Sequence, residues 1–232
     1  MSRVVGNKAI LAIDVLSLAV GSYGLYENII NAQLPDHLVK AGNWQFLTNL
    51  SLVYSLVVFG VGVLAHLFHS PALFQFKNTI HPVGLALESI VAMVYWPLRL
   101  FLIELLAKDG ILHIPVHVDL AIHLMPVVSL LIDYLVFMPR WTIKTSTALG
   151  LVVFLSSAYY GLLKVLVDVE NGAAYPYVFM NVETETERVF VFIVVGGVAF
   201  LQFLIFKGLY DWIVGKTEEA DEAIDRFAKK NQ

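Results

Sequence analysis

Long apolar stretches, separated by short polar segments, occupy most of the chain. Each stretch holds 21 to 24 residues, and about 20 residues are enough for a helix to cross the ~30 Å hydrocarbon core of a bilayer. No stretch shows the alternating polarity of a membrane β-barrel strand. The pattern predicts six transmembrane helices. These are Ala9–Ile30, Phe46–Phe68, Val83–Leu106, Val116–Met138, Thr147–Val167 and Val189–Trp212.

Composition supports this interpretation. Hydrophobic residues make up 58% of the chain and charged residues 15%, whereas a soluble domain carries about 25% charged residues. The first apolar run extends to Ile30, which is long for the core of a signal peptide, so we expect it to remain as the first span. The loops are short and no repeat is visible. The predicted fold is therefore an all-α polytopic membrane helical bundle, with residues 1–232 as one domain and 214–232 as a charged cytosolic tail.

The charged residues indicate an orientation. With six spans, ten lysines and arginines fall on the side of the two termini and four fall on the other side. Because cytoplasmic loops carry the excess of basic residues, both termini are predicted to be cytosolic. The net charge of −4 argues against nucleic acid as a partner. The absence of cysteine excludes disulfides, thiol catalysis and thiolate metal sites.

The C-terminal residues point to a compartment. Lys229 and Lys230 stand third and fourth from the end, as in the dilysine retrieval signal of endoplasmic reticulum membrane proteins. The alternative is a basic tail that is attracted to anionic lipid. We expect an integral membrane protein of the endoplasmic reticulum.

Polar side chains inside a bilayer are costly, so each one is a candidate for function. Asp14, Glu88 and Asp133 each lie about five residues from a cytosolic helix end, which corresponds to a depth of roughly 7–8 Å. Such acids either pair with cationic or hydroxyl groups or form a proton relay. The second possibility makes a transporter or ion-coupled carrier the alternative function, although the internal repeats common in transporters are absent.

A second polar group lies toward the opposite face and contains Thr48, Arg99, Asp119 and His123. A hydroxyl becomes a nucleophile for acyl transfer when a base takes its proton, and a histidine titrates in the right range for that role. Asp119 precedes His123 by four residues on the same helix face, where it either orients the ring or lies solvated at the helix start. Arg99 either pairs with Asp119 or binds a substrate carboxylate.

Each of these residues also has a structural interpretation. A threonine near a helix start commonly caps the helix, and a buried histidine commonly bonds to a neighbouring helix. A luminal metal site built from His113, His117, Asp119 and His123 is a further possibility. However, Pro115 interrupts their spacing and the chain has no His-Glu-x-x-His arrangement. We therefore predict neither a metal nor a cofactor.

Two motifs resemble a known family. The segment Gly42–Thr48 reads Gly-Asn-Trp-Gln-Phe-Leu-Thr and is similar to the Trp-x-Tyr-Leu-Thr segment that opens the second span of the androgen-induced membrane protein family. The stretch that ends in Ala121-Ile122-His123 resembles the family's segment ending in Ala-Met-His, which also follows a proline-bearing loop. Length, number of spans and the positions of both motifs agree over most of the chain.

The resemblance implies an activity. Members of that family are intramembrane threonine hydrolases that cleave fatty acid esters of hydroxy fatty acids, and the matching positions here are Thr48 as nucleophile and His123 as base. The implied partner is a lipid ester taken from the bilayer. The chain departs from the vertebrate pattern at Leu120, where those members have a second histidine, and at Asp119, where they tend to have asparagine. These differences bear on substrate preference.

Overall fold

The structure, a computed structural model, describes residues 3–32, 34–106 and 114–230, with only the backbone described for 216–230. Within these residues, six helical spans are long and apolar enough to cross a membrane, and the fourth of them, Val116–Phe137, is made of two shorter helices and a π turn. This confirms the predicted all-α polytopic bundle. The helices are α1 (Lys8–Tyr26), α2 (Asp36–Val39), α3 (Leu47–Leu67), α4 (Pro71–Phe101), α5 (Val116–His123), α6 (Met125–Ile132), α7 (Thr145–Leu166) and α8 (Glu185–Lys230). One π turn, Glu27–Asn31, extends α1 and another, Asp133–Phe137, extends α6.

The third span begins earlier than the sequence predicts. Helix α4 starts at Pro71 instead of Val83 and runs for 31 residues, with Pro82 inside it. The preceding segment looks like a loop because it contains Lys77 and His81, yet both side chains are completely buried in the bundle. A polar segment can continue a membrane helix when its side chains find partners inside the protein.

The sixth predicted span, Val189–Trp212, lies within the longer helix α8. That helix continues without interruption into the charged tail and ends at Lys230. Asn231 and Gln232, which complete the dilysine pattern, lie outside the described residues, as do the side chains of Lys229 and Lys230.

The helices pack in two groups. Helix α3 packs against both α1 and α4, and the α5–α6 segment packs against α1 and α4, which forms the centre of the bundle. Helices α7 and α8 pack against each other, and α8 also contacts α4. Helix α7 buries few of its residues, as expected for a helix that faces lipid. This arrangement leaves space between α4, α7 and α8.

The fourth span is broken at Leu124, between α5 and α6. Pro126 explains the break, because a proline has no N–H and its ring collides with the carbonyl four residues earlier. The interruption frees backbone groups that need partners inside a membrane. The carbonyl of His123 accepts a hydrogen bond from the indole Nε1 of Trp96 at 3.2 Å. His123 is the last residue of α5, directly before the break.

A buried ion cluster joins three helical segments. The Nζ of Lys77 lies 2.8 Å from Asp14 Oδ2 and 2.7 Å from Asp133 Oδ2, with all three side chains at most 1% exposed. The third acid, Glu88, stands apart and accepts a hydrogen bond from the hydroxyl of Ser55 at 2.8 Å. The prediction that these acids pair with cationic or hydroxyl groups is confirmed.

Candidate active site

The hydroxyl of Thr48 and the imidazole of His123 meet inside the bundle. Thr48 is the second residue of α3 and His123 is the last residue of α5. The distance between Thr48 Oγ1 and His123 Nε2 is 3.4 Å. The side chains are nearly excluded from solvent, with residue exposures of 7% and 4%. The two residues singled out by the sequence motifs are thus adjacent in space.

Asp119 completes a chain of three polar groups. Its Oδ1 lies 2.8 Å from His123 Nδ1, on the far side of the ring from Thr48. The Nε of Arg99 donates to the other oxygen, Asp119 Oδ2, at 3.4 Å. Asp119 is 3% exposed, so it orients the ring and is not a solvated helix-start residue. With Nδ1–H donating to Asp119, the lone pair of Nε2 faces the threonine hydroxyl.

Aromatic residues of α4 fix the position of the imidazole. The ring of Tyr95 stacks on His123 with centroids 3.4 Å apart and planes inclined by 4°. Trp96 bonds to the carbonyl of the same histidine. Neither residue was among the candidates predicted from the sequence. The available signal was the spacing of Tyr95 and Arg99, which places them on one face of α4.

The segment before Thr48 is held by buried hydrogen bonds. The side-chain amide of Gln45 donates to the carbonyls of Leu38 at 2.8 Å and Gly42 at 2.9 Å. The carbonyl of Gln45 accepts from the hydroxyl of Tyr159 at 2.7 Å. Helix α3 therefore begins at a fixed point, and this places Thr48 at a defined position relative to α5.

A loop tyrosine also reaches Thr48. The hydroxyl of Tyr177, between α7 and α8, lies against the Thr48 side chain and against the backbone N–H groups of Leu47 and Thr48. Burial raises the pKa of Tyr177, so the phenol keeps its proton at neutral pH and remains a hydrogen-bond donor. The sequence did not predict this contact, because Tyr177 lies in a loop 129 positions after Thr48 and belongs to no motif.

Thr48 and His123 both line one cavity of about 570 Å³. Polar groups line it near the loops at the Thr48 end, including Asn28, His37, Asn43 and Asn181, and the remaining wall is almost entirely aliphatic or aromatic. Arg99 is not among the described residues that line this cavity. Of the two roles predicted for Arg99, its contact with Asp119 favours the orienting one.

The histidines proposed from sequence for a luminal metal site are not gathered in the described part of the chain. His117 lies beside Tyr23, with its Nε2 3.1 Å from the phenol oxygen. His113 lies outside the described residues. Among residues 3–32, 34–106 and 114–215, no group of three or more histidine, aspartate or glutamate side chains is placed to hold a metal ion.

Comparison with known proteins identifies the family. The family described as FAR-17a/AIG1-like protein matches residues 9–211. A UPF0641 membrane protein of Saccharomyces cerevisiae, YHR140W, is 30% identical over 223 residues, which cover 89% of this chain and 92% of the yeast protein. The UPF0641 membrane protein PJ4664.05 of Schizosaccharomyces pombe is 29% identical over 171 residues, which cover 73% and 76% of the two chains. No solved structure matches. The family likeness suggested by the two motifs is confirmed, and this integral membrane protein belongs to the FAR-17a/AIG1-like family.

Proposed function

We propose that the protein is an intramembrane threonine hydrolase that cleaves fatty acid esters of hydroxy fatty acids or similar lipid esters. The observation that carries the proposal is the 3.4 Å approach of Thr48 Oγ1 to His123 Nε2 at the wall of a shared apolar cavity. This distance is slightly longer than an ideal hydrogen bond, as is common for catalytic pairs before substrate is bound.

In the first half of the reaction, Thr48 Oγ1 attacks the ester carbonyl carbon and His123 Nε2 takes the hydroxyl proton. The tetrahedral intermediate collapses, the ester C–O bond breaks, and the imidazolium returns its proton to the departing alcohol oxygen. The product is an acyl-threonine ester. Asp119 stabilises the imidazolium through its bond to Nδ1, and Arg99 keeps that carboxylate in position.

In the second half, water attacks the acyl-threonine carbonyl while His123 accepts a proton from it. The intermediate expels the threonine oxygen, which regains its proton from the imidazolium, and a fatty acid is released. Both halves place negative charge on the former carbonyl oxygen, and a fixed donor close to that oxygen lowers the barrier. Tyr177 is the donor that we assign to this task, because its protonated hydroxyl lies against Thr48.

The cavity favours a lipid substrate. Its wall is mainly hydrocarbon, so transfer of an acyl chain from water or from a lipid headgroup region into it is favourable. A charged metabolite would lose its hydration there without finding a charged partner among the described lining residues. We therefore take the partner to be an ester drawn from the bilayer, and the chemistry needs no cofactor.

Orientation and compartment are part of the proposal. The ten-to-four bias of basic residues supports cytosolic termini and a luminal active site. The compartment that we propose is the endoplasmic reticulum. Protease protection of tags in sealed microsomes tests the orientation, and digestion of a loop tag between α7 and α8 without permeabilisation would contradict it.

The activity is tested with purified protein in detergent and a branched fatty ester. Thr48→Ala and His123→Ala are expected to abolish release of fatty acid, whereas Thr79→Ala, at an exposed threonine of α4, should leave it unchanged. A fluorophosphonate probe should label the wild type but not Thr48→Ala. Full hydrolysis by a folded Thr48→Ala protein would remove the nucleophile assignment.

A further inference from the structure

The cavity extends well beyond the two reactive side chains. From Tyr95 and Tyr159, which lie near Thr48 and His123, it follows three helices away from the loops. We refer to this part as the deep arm. It is lined by α4 from Tyr95 back to Pro82, by α7 from Tyr159 back to Ala148, and by α8 from Val191 to Phe203. The deep arm has no charged residue among its described lining side chains, and Ser156 supplies a hydroxyl.

The length of the deep arm follows from the helices that line it. Tyr95 and Pro82 are separated by 13 residues of α4, which corresponds to about 20 Å at 1.5 Å per residue. The span of α7 from Tyr159 to Ala148 gives roughly 16 Å. One leaflet of the ~30 Å hydrocarbon core, which is one lipid acyl chain thick, measures about 15 Å. The deep arm therefore matches a single straight acyl chain of membrane length.

A stack of aromatic rings begins at the far end of the deep arm. Phe203, the last lining residue on α8, stacks on Trp141 with centroids 5.7 Å apart. Trp141 stacks on Tyr134 at 3.7 Å, and Tyr134 stacks on Tyr210 at 4.8 Å. These rings are buried and belong to the main hydrophobic core. Because a close-packed core deforms little, the stack sets a fixed limit to the length of an acyl chain in the arm.

We propose that the deep arm is the binding site for the acyl group of the ester and that it selects substrates by acyl chain length. This inference rests on the proposed hydrolase function. The carbonyl lies at Thr48, the acyl chain fills the deep arm, and the alcohol part of the ester occupies the more polar end near Asn28 and Asn181. For an ester that is presented as a monomer in water, each added methylene that enters the arm raises kcat/KM by roughly threefold to fourfold, until the chain reaches the aromatic stack.

The test uses esters of one alcohol with straight acyl chains from butanoyl to octadecanoyl. For the wild type, kcat/KM should rise with chain length and then level off. Ala86→Phe narrows the far half of the deep arm and Ala199→Phe narrows the same half from another helix. Both variants should keep butanoyl hydrolysis within about threefold of wild type and lose at least tenfold on the longest chains. Ala92→Phe is the control, because Ala92 is on α4 but does not line the cavity.

Binding of radiolabelled fatty acids to the Thr48→Ala protein separates the two proposals. Affinity that rises with chain length, and that Ala86→Phe in the same background abolishes for long chains only, supports the deep arm even if no ester is hydrolysed. Binding of this kind without any ester hydrolysis would overturn the hydrolase proposal and leave the deep-arm proposal standing. Hydrolysis by the wild type at one rate for all chain lengths, or equal losses on all lengths in Ala86→Phe, overturns the deep-arm proposal and leaves the hydrolase intact.

Discussion

The phenol ring of Tyr95 lies face to face on the imidazole of His123, with ring centroids 3.4 Å apart. This contact holds the plane of the imidazole ring, so that Nδ1 meets Asp119 on one side and Nε2 meets Thr48 on the other. In a broken span, where the backbone alone holds His123 less firmly, such a stack supplies the orientation that the chemistry needs.

Replacement of Tyr95 tests that role. Tyr95→Leu removes the flat surface, so the imidazole gains rotational freedom and kcat should fall by roughly tenfold to a hundredfold with a smaller change in KM. Tyr95→Phe keeps the ring and should stay within a few fold of wild type. Steady-state kinetics on a soluble ester analogue gives both constants. Equal losses in the two variants would show that the phenol oxygen matters, and not the stack.

Asp119 offers a second prediction. Asp119→Ala leaves Nδ1 without its acceptor and removes the charge that stabilises the imidazolium, so kcat should drop by about 10²-fold or more. Asp119→Asn retains an oxygen that can accept from Nδ1–H and should keep more activity than the alanine variant. The measurement is single-turnover release of fatty acid. If alanine and wild type react at the same rate, Asp119 has no part in positioning the base.

Removal of the hydroxyl oxygen of Tyr177 tests its role as a hydrogen-bond donor. Tyr177→Phe preserves the ring but removes the donor that faces Thr48, and loss of a single oxyanion donor costs about 10²- to 10³-fold in kcat. Tyr160→Phe serves as the matched control, since the hydroxyl of Tyr160 bonds to Glu185 on the exposed surface. An effect confined to KM would assign Tyr177 to substrate binding instead of charge stabilisation.

The Lys77 cluster makes a prediction about stability. Lys77→Met leaves Asp14 and Asp133 buried without their cation, and breaking such a pair costs about 3–5 kcal/mol of unfolding free energy. Lys144→Met, at an exposed position before α7, should change the unfolding free energy little. Thermal or denaturant unfolding in detergent provides the comparison. Equal stability of the two variants would mean that the cluster does not hold the bundle together.

A glycine beside the cluster allows an independent check. A Cβ at Gly62 would overlap Asp14 Oδ2 and would lie 2.7 Å from Lys77 Nζ. Gly62→Ala should therefore displace the ion pair and lower the unfolding temperature. Gly60→Ala on the same helix is the control, since nothing lies within 4 Å of the Cβ that it adds. A fully stable Gly62→Ala protein would show that the buried charges can move apart at little cost.

The sequence predicted the parts of this molecule that depend on local composition. Apolar runs of bilayer length located the six spans, although the start of α4 at Pro71 was missed. The reason is that Lys77 and His81 look like loop residues unless their partners are known, and Asp14 lies 63 positions away from Lys77. Hydropathy counts a charge as exposed, whereas the fold neutralises it through a distant helix.

The candidate site was predictable in part for a similar reason. Thr48 and His123 could be placed toward one membrane face by counting residues, but their separation depends on how α3 and α5 are offset and tilted. That offset brings the two side chains to a distance of 3.4 Å, which residue counting does not predict. Tyr177 was missed because loop closure leaves no periodic signal in the chain. Tyr95 was missed because its spacing from Arg99 gives its helix face but not its stacking partner on another helix.

The direction of the deep arm has a consequence for where substrate comes from. It starts at the membrane face nearest Thr48 and points toward the opposite face, so its axis runs the same way as the tails of lipids in the leaflet on that side. An ester from that leaflet can slide in sideways with its tail already aligned. A lipid from the other leaflet would have to turn end over end first, so the proposed hydrolase would draw unequally on the two halves of the bilayer.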